Sequence, residues 1–157
     1  MEDIFKEKPS TIKAKGVVNL ALYGVSYIEA LERVGLRRGN KVRNQASIPG
    51  WILNNKKYAR ACLRGLVDTD GGVYTHRHIV SGKKYVNFGL SSCNHSKPII
   101  AGSMDILSSN GIRAYVAYGK KIYVYSFDQV GKNFNIVGSS NPKHLTRLSS
   151  YIKSRNL

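Results

Sequence analysis

Residues Trp51–Tyr74, WILNNKKYARACLRGLVDTDGGVY, decide how the rest of the chain is read. Tyr58, Ala61, Cys62, Gly65 and Leu66 recur at three- and four-residue spacing, the period of one helical face. Ala59, Leu63 and Leu66 form a second apolar stripe, and Asn54 or Asn55 supplies a cap before Lys56. The helix should run into the acidic turn Asp68-Thr69-Asp70 and then, through Gly71-Gly72, into a strand. A glycine inside a helix costs roughly 1 kcal/mol against alanine. Gly65, four residues after Ala61, is accounted for if a second backbone comes close there. Carboxylates at a helix C-terminus oppose its dipole, so Asp68 and Asp70 call for hydrogen bonds or a cation.

The 157 residues suffice for one domain of ordinary size. Lys and Arg number 25 against 9 acidic residues, a net charge of +16. That balance points to a polyanionic partner, above all nucleic acid, with an anionic membrane or a ribosomal surface as rivals. The basic residues are scattered between apolar stretches, so they decorate a folded body. Cys62 and Cys93 have no metal-ligand spacing and read as reduced thiols, and His76 and His78 lack companions for zinc. There is no signal-peptide pattern and no apolar run of membrane-crossing length. An intracellular protein is expected, cytoplasmic, nucleoid-associated or organellar, not secreted and with no membrane partner.

Met1–Pro9 is charged and reads as frayed or a short helix, and Ser10–Leu22 alternates enough for strands. Tyr23–Leu36 reads as a helix starting near Ser26, with Glu29 at capping-box spacing, Ile28, Leu31 and Leu36 inward and Gly35 as its stop. Arg37–Ser47 is a basic connector. After the central helix, Val73–His78 and Lys84–Ser92 read as strands, and Ser96–Asn110 as a helix with Ile99, Ile100, Met104 and Leu107 inward. Ile112–Tyr118 and Ile122–Phe127 form a hairpin across Gly119-Lys120-Lys121. Phe127–Val137 can hold a helix, and Lys143–Leu157 closes the chain as a helix with Leu145, Leu148 and Ile152 inward. The fold class is α+β, an αββαββα core whose four-stranded antiparallel sheet leaves one face open. Four strands span roughly 15 Å, a match to a DNA major groove of about 12 Å.

Leu63–Gly71, LRGLVDTDG, closely resembles the motif of the LAGLIDADG homing endonucleases. Gly72-Val73-Tyr74 continues the pattern, Ile48-Pro49-Gly50-Trp51-Ile52 is similar to the lead-in of archaeal and intein-associated members, and the element order agrees. Arg64 stands where the name-giving motif has Ala. The resemblance covers residues 48–157 as the endonuclease domain. Residues 1–47 form an N-terminal extension similar to the remnant of a first repeat, with Gly35-Leu36 and Gly39-Asn40-Lys41 in the expected places.

A single-motif member of this kind, archaeal, intron-encoded or intein-like, implies a homodimer. Central helices pair around a twofold axis through Ala61, Gly65, Tyr58 and Cys62, and two sheets make one saddle. It implies a site-specific endonuclease that breaks both strands of a long pseudo-palindromic DNA target with Mg²⁺. The resemblance makes Asp70 the metal ligand, helped by the backbone carbonyl of Thr69 or Gly71, while Asp68 supports the helix end. Ser92 falls where the family orders a water, with Asn94 and His95 as neighbours that could substitute, and Lys143 matches the base that steadies the transition state. Arg77, Lys83, Lys84, Arg113, Lys120, Lys121 and, in the connector, Arg43 are the expected DNA contacts. The alternative is an intron-splicing RNA maturase or another nucleic-acid-binding protein that does not cleave.

Overall fold

The computed structural model describes residues 7–15 and 17–155. The chain divides into two compact units, Met1–Asn44 and Gln45–Leu157. Most of the segment expected to be frayed or helical, Met1–Pro9, lies outside the described residues. No helix among those described is long and apolar enough to cross a membrane.

In the first unit, β1 (Ser10–Ala14) pairs antiparallel with β2 (Val17–Ala21), and α1 (Val25–Arg33) follows. The expected capping box does not form. The helix starts at Val25, so Ser26 already lies inside the first turn, and Gly24 takes the cap position at φ +153° without a side-chain bond. The inward set is corrected too: Ile28, Leu31 and Leu36 are exposed, and α1 buries no residue. A two-stranded hairpin and one short helix offer no second layer to cover that stripe. Gly35, at φ +91°, ends the helix as expected, and Arg38 holds the Glu32 carboxylate in a forked pair at 2.8 and 2.7 Å. Asn40 Oδ1 accepts from the backbone N–H groups of Val42 and Arg43 at 2.9 and 3.0 Å, which bends the basic connector into a turn.

In the second unit, α2 (Gly50–Leu53) leads into α3 (Lys56–Asp70). Asn55 caps α3, its side-chain oxygen accepting from Lys57 and Tyr58 N–H. The side of α3 that goes inward carries Ala59, Leu63 and Val67, four residues apart. Then come β3 (Gly71–Val80), β4 (Lys83–Cys93), α4 (Lys97–Ser109), β5 (Tyr115–Ala117), β6 (Lys121–Tyr125), α5 (Phe127–Ile136) and α6 (Pro142–Arg155). Both helices expected after the second hairpin are present, as α5 and α6. The four strands form one antiparallel sheet in the order β3-β4-β6-β5.

The sheet's two faces differ. Val73, Phe88, Leu90, Ile122 and Val124 share one parity and are all buried in the core that also takes Leu63 and Val67. The other parity carries Tyr74, His76, His78, Tyr85, Tyr123 and Tyr125. On α4, Ile100 and Leu107 go inward as expected and Ile99 and Met104 are half-buried, but Gly102, Ser103 and Ile106 are buried too. The inward face of α6 needs correcting by one position. Leu145 and Ile152 are exposed, while His144 and Tyr151 are buried and Leu148 packs on the core. Tyr151 stacks on Phe88 with centroids 4.4 Å apart and donates its hydroxyl to Val86 O at 3.2 Å. An aromatic contact and a buried imidazole outweigh the aliphatic stripe here.

Candidate active site

Helix α3 passes into β3 with no loop, so the last helical residue, Asp70, stands at the mouth of the sheet. Gly71 permits this. A Cβ there would run into the Val67 carbonyl oxygen and come within 2.9 Å of Ser91 O. Thr69 turns its hydroxyl back along the helix, donating to Gly65 O at 2.9 Å, so of this residue only the main chain is offered at the helix end.

The two carboxylates have separate tasks. Asp68 accepts from Ser139 Oγ at 2.5 Å and from Ser140 N–H at 2.7 Å, with His144 Nδ1 3.6 Å away. Its main-chain oxygen accepts from Asn141 Nδ2 at 2.9 Å. These bonds answer the unfavourable dipole and fasten the end of α3 to the start of α6. Asp70 is exposed.

Ser92 and Lys143, the other expected catalytic residues, fall at this same end. Ser92 is the register partner of Gly71, one residue beyond Asp70, and is half-buried between Gly71 and Ile122. Lys143 is exposed in the first turn of α6, its N–H held by Asn141 Oδ1 at 3.0 Å, and Asn141 is the residue that binds Asp68. Asn94 is buried and committed to its own turn, accepting from Ser96 N–H at 3.0 Å, whereas His95 is exposed. Among the described residues no three His, Cys, Asp or Glu side chains gather to hold a metal ion. The donors at the mouth are the Asp70 carboxylate and carbonyl oxygens at the negative end of a helix. These are hard oxygen ligands of the kind Mg²⁺ takes, with phosphate oxygens and waters to complete the set.

The expected contact residues are spread out. Lys121 has the parity of the open aromatic face, Lys120 is in the turn before it, and Lys83 has that parity at the hairpin end. Arg113 is exposed just before β5, its N–H donating to Gln129 Oε1 at 2.7 Å. Arg77 and Lys84 have the opposite parity, that of Val73 and Phe88. Arg77 borders a cleft of about 670 Å³ with Phe88, Asp128, Tyr151 and Ser154, on the helix side of the sheet. Arg43 belongs to the first unit.

Along α3, Tyr58, Ala61 and Gly65 are exposed and Cys62 is half-buried. Tyr58 meets the exposed Trp51 edge to face at 5.7 Å. A Cβ on Gly65 would find nothing within 4 Å, so nothing among the described residues explains the glycine.

Sequence reasoning missed Arg147 and His144. Arg147 Nη1 donates to Val73 O at 2.7 Å, tying α6 to β3. Its spacing of four from Lys143 is the one available signal, since both then share a helical face. No protein-family model matches the chain, and no curated protein was found to match it.

Proposed function

We propose that this chain is a Mg²⁺-dependent DNA endonuclease of the LAGLIDADG homing type, working as a homodimer on a long pseudo-palindromic duplex. The observation that carries this reading is the convergence at one end of the sheet. Asp70 is exposed at the end of α3, Ser92 is the register partner of the next residue, and the head of α6, with Lys143, is bonded to that helix end through Asn141. A carboxylate and a phosphate repel each other, so Asp70 near a scissile bond makes sense with a cation between them.

Asp70, with the carbonyl of Thr69 or Gly71, would hold the ion. Bound there, Mg²⁺ would neutralise phosphate charge and lower the pKa of a coordinated water. Ser92 orients a water by its hydroxyl, and Lys143 offers positive charge to the phosphate oxygens as charge builds on them. Asp68 keeps α3 and α6 in register through Ser139, Ser140 and Asn141, which holds Asp70 and Lys143 in a fixed relation.

Each copy brings one Asp70, so cutting both strands takes two copies. The exposed Tyr58, Ala61 and Gly65 face of α3 is the surface on which they would meet. Gly65→Val should split the dimer in analytical sedimentation, and an unchanged dimer would exclude this face. The activity itself is tested by incubating the protein with a randomised duplex library with and without Mg²⁺. Cuts at one recurring sequence only with Mg²⁺ support the reading, and no cutting under any condition refutes it. The second reading, a maturase or another binding protein that does not cleave, is favoured by the aromatic content of the open face.

A further inference from the structure

The open face of the sheet holds a tyrosine cluster with a repeated plan. Tyr74, Gly89 and Tyr125 lie side by side across β3, β4 and β6. The next row on this face is Gly72, Ser91, Tyr123 and Tyr115. Tyr123 and Tyr125 are parallel to within 4° at 5.6 Å, and Tyr115 stacks against both at 5.3 Å, tilted by 22° and 19°. Tyr74 turns edge-on to Tyr125 and lies over Gly89, where a Cβ would come within 2.7 Å of the ring. Beside the stack the floor is low, because Ser91 is small and a Cβ on Gly72 would meet nothing within 4 Å.

Three further facts bear on what would sit there. His78 Nδ1, on this face, is buried without a hydrogen-bond partner among the described residues. The rings are only partly covered, with Tyr115 45% and Tyr125 37% exposed. Lys83 and Lys121 share the parity, and none of the acidic residues does.

A matched duplex hides its base faces and offers only edges and phosphates, which are read by long donors such as Arg, Asn and Gln. On the strands around this cluster the face offers ring surfaces, Gly and Ser, with Asn87 one row further along, and Arg113 and Gln129 border Tyr115 and Tyr125 at its edge. Ring surfaces suit bases that have left the stack.

We propose that the open sheet face is a stacking platform for unpaired bases, so that the nucleic acid this chain prefers carries a single-stranded segment. Tyr123 and Tyr125 supply the stacking surface, and Lys83 and Lys121 meet the phosphates at its two ends. This rests on the second reading, a nucleic-acid-binding protein that does not cleave, and departs from the duplex target of the first.

The test is fluorescence anisotropy with three labelled probes of roughly twenty nucleotides, comparable to known single-strand site sizes. These are a single strand, its matched duplex, and the duplex with a central mismatched bubble. The single strand and the bubble should bind about ten-fold more tightly than the matched duplex. Tyr123→Ala should weaken single-strand binding about ten-fold, while Tyr123→Phe, which keeps the ring, should bind as the parent does. Deoxyribose and ribose versions of the strand tell which sugar is favoured. A matched duplex that binds as well as the bubble overturns the platform while leaving the nucleic-acid reading intact. So does a Phe variant as weak as the Ala one. Failure to bind any of the three probes defeats both.

Discussion

The two faces of the four-stranded sheet are built from the same strands, yet they follow different rules. Toward the helices, Val73, Phe88, Leu90, Ile122 and Val124 are nearly inaccessible. One residue along each strand, the outward positions hold Tyr74, Gly89, Tyr123 and Tyr125, with rings partly open to solvent. Alternation with period two lets one strand serve a packed core and a recognition surface at once. The covered face carries stability, and the open face is the one that the proposed nucleic-acid contact would use.

Substitution breaks the comparison most strongly on the covered side. Phe88→Ala removes a buried ring that stacks on Tyr151 and should cost about 3–5 kcal/mol in chemical denaturation. Tyr125→Ala, on the neighbouring strand but the other face, should cost only about 1 kcal/mol. Equal losses would mean that the open face is part of the core.

Gly89→Ala is the intermediate case. Its Cβ would fall 2.7 Å from Tyr74 Cζ and 2.8 Å from the hydroxyl, so the end of the ring must move, at a cost of about 1 kcal/mol. In a Tyr74→Ala background the added methyl should cost nothing further. A full cost in both backgrounds would place the strain in the backbone.

The smallest effect is spectroscopic. Burial, with Tyr125 next to it, raises the Tyr115 phenol to about 12 and pushes the Tyr74 phenol higher. Both favour the neutral form in the folded chain. Their contribution to stability is therefore complete below the ordinary tyrosine range and lost as pH rises through the folded values. Phenolate absorbance should still be growing near pH 12, and Tyr115→Phe should remove part of that late rise. A titration complete near pH 10, the ordinary tyrosine value, would show that the cluster is open to water.

Much of the second unit could be read from the sequence because its signals are local and agree. Asn55 caps α3, glycines end α4 and the β5–β6 turn with positive φ, and strand alternation gives the hairpins. The failures come from contacts remote in sequence. Ser139, Ser140 and His144 reach Asp68 across some seventy residues, and no pattern near either partner announces it. The phase of α6 was hidden because His144 and Tyr151 are buried by specific partners, not by hydrophobicity. The apolar stripe of α1 was legible, but its covering layer was not, and Ile28, Leu31 and Leu36 remain exposed. At the site, the motif resemblance points to Asp70 and Ser92, and only the strand register sets Ser92 opposite Gly71, the residue after Asp70.

Asp70→Asn tests the central claim most directly, because it removes charge while keeping shape at the end of α3. On a duplex recovered from the library selection, binding should stay within a few-fold of the parent, while Mg²⁺-dependent cutting falls by at least about a thousand-fold. Cutting at the parent rate by the Asn variant would contradict the account.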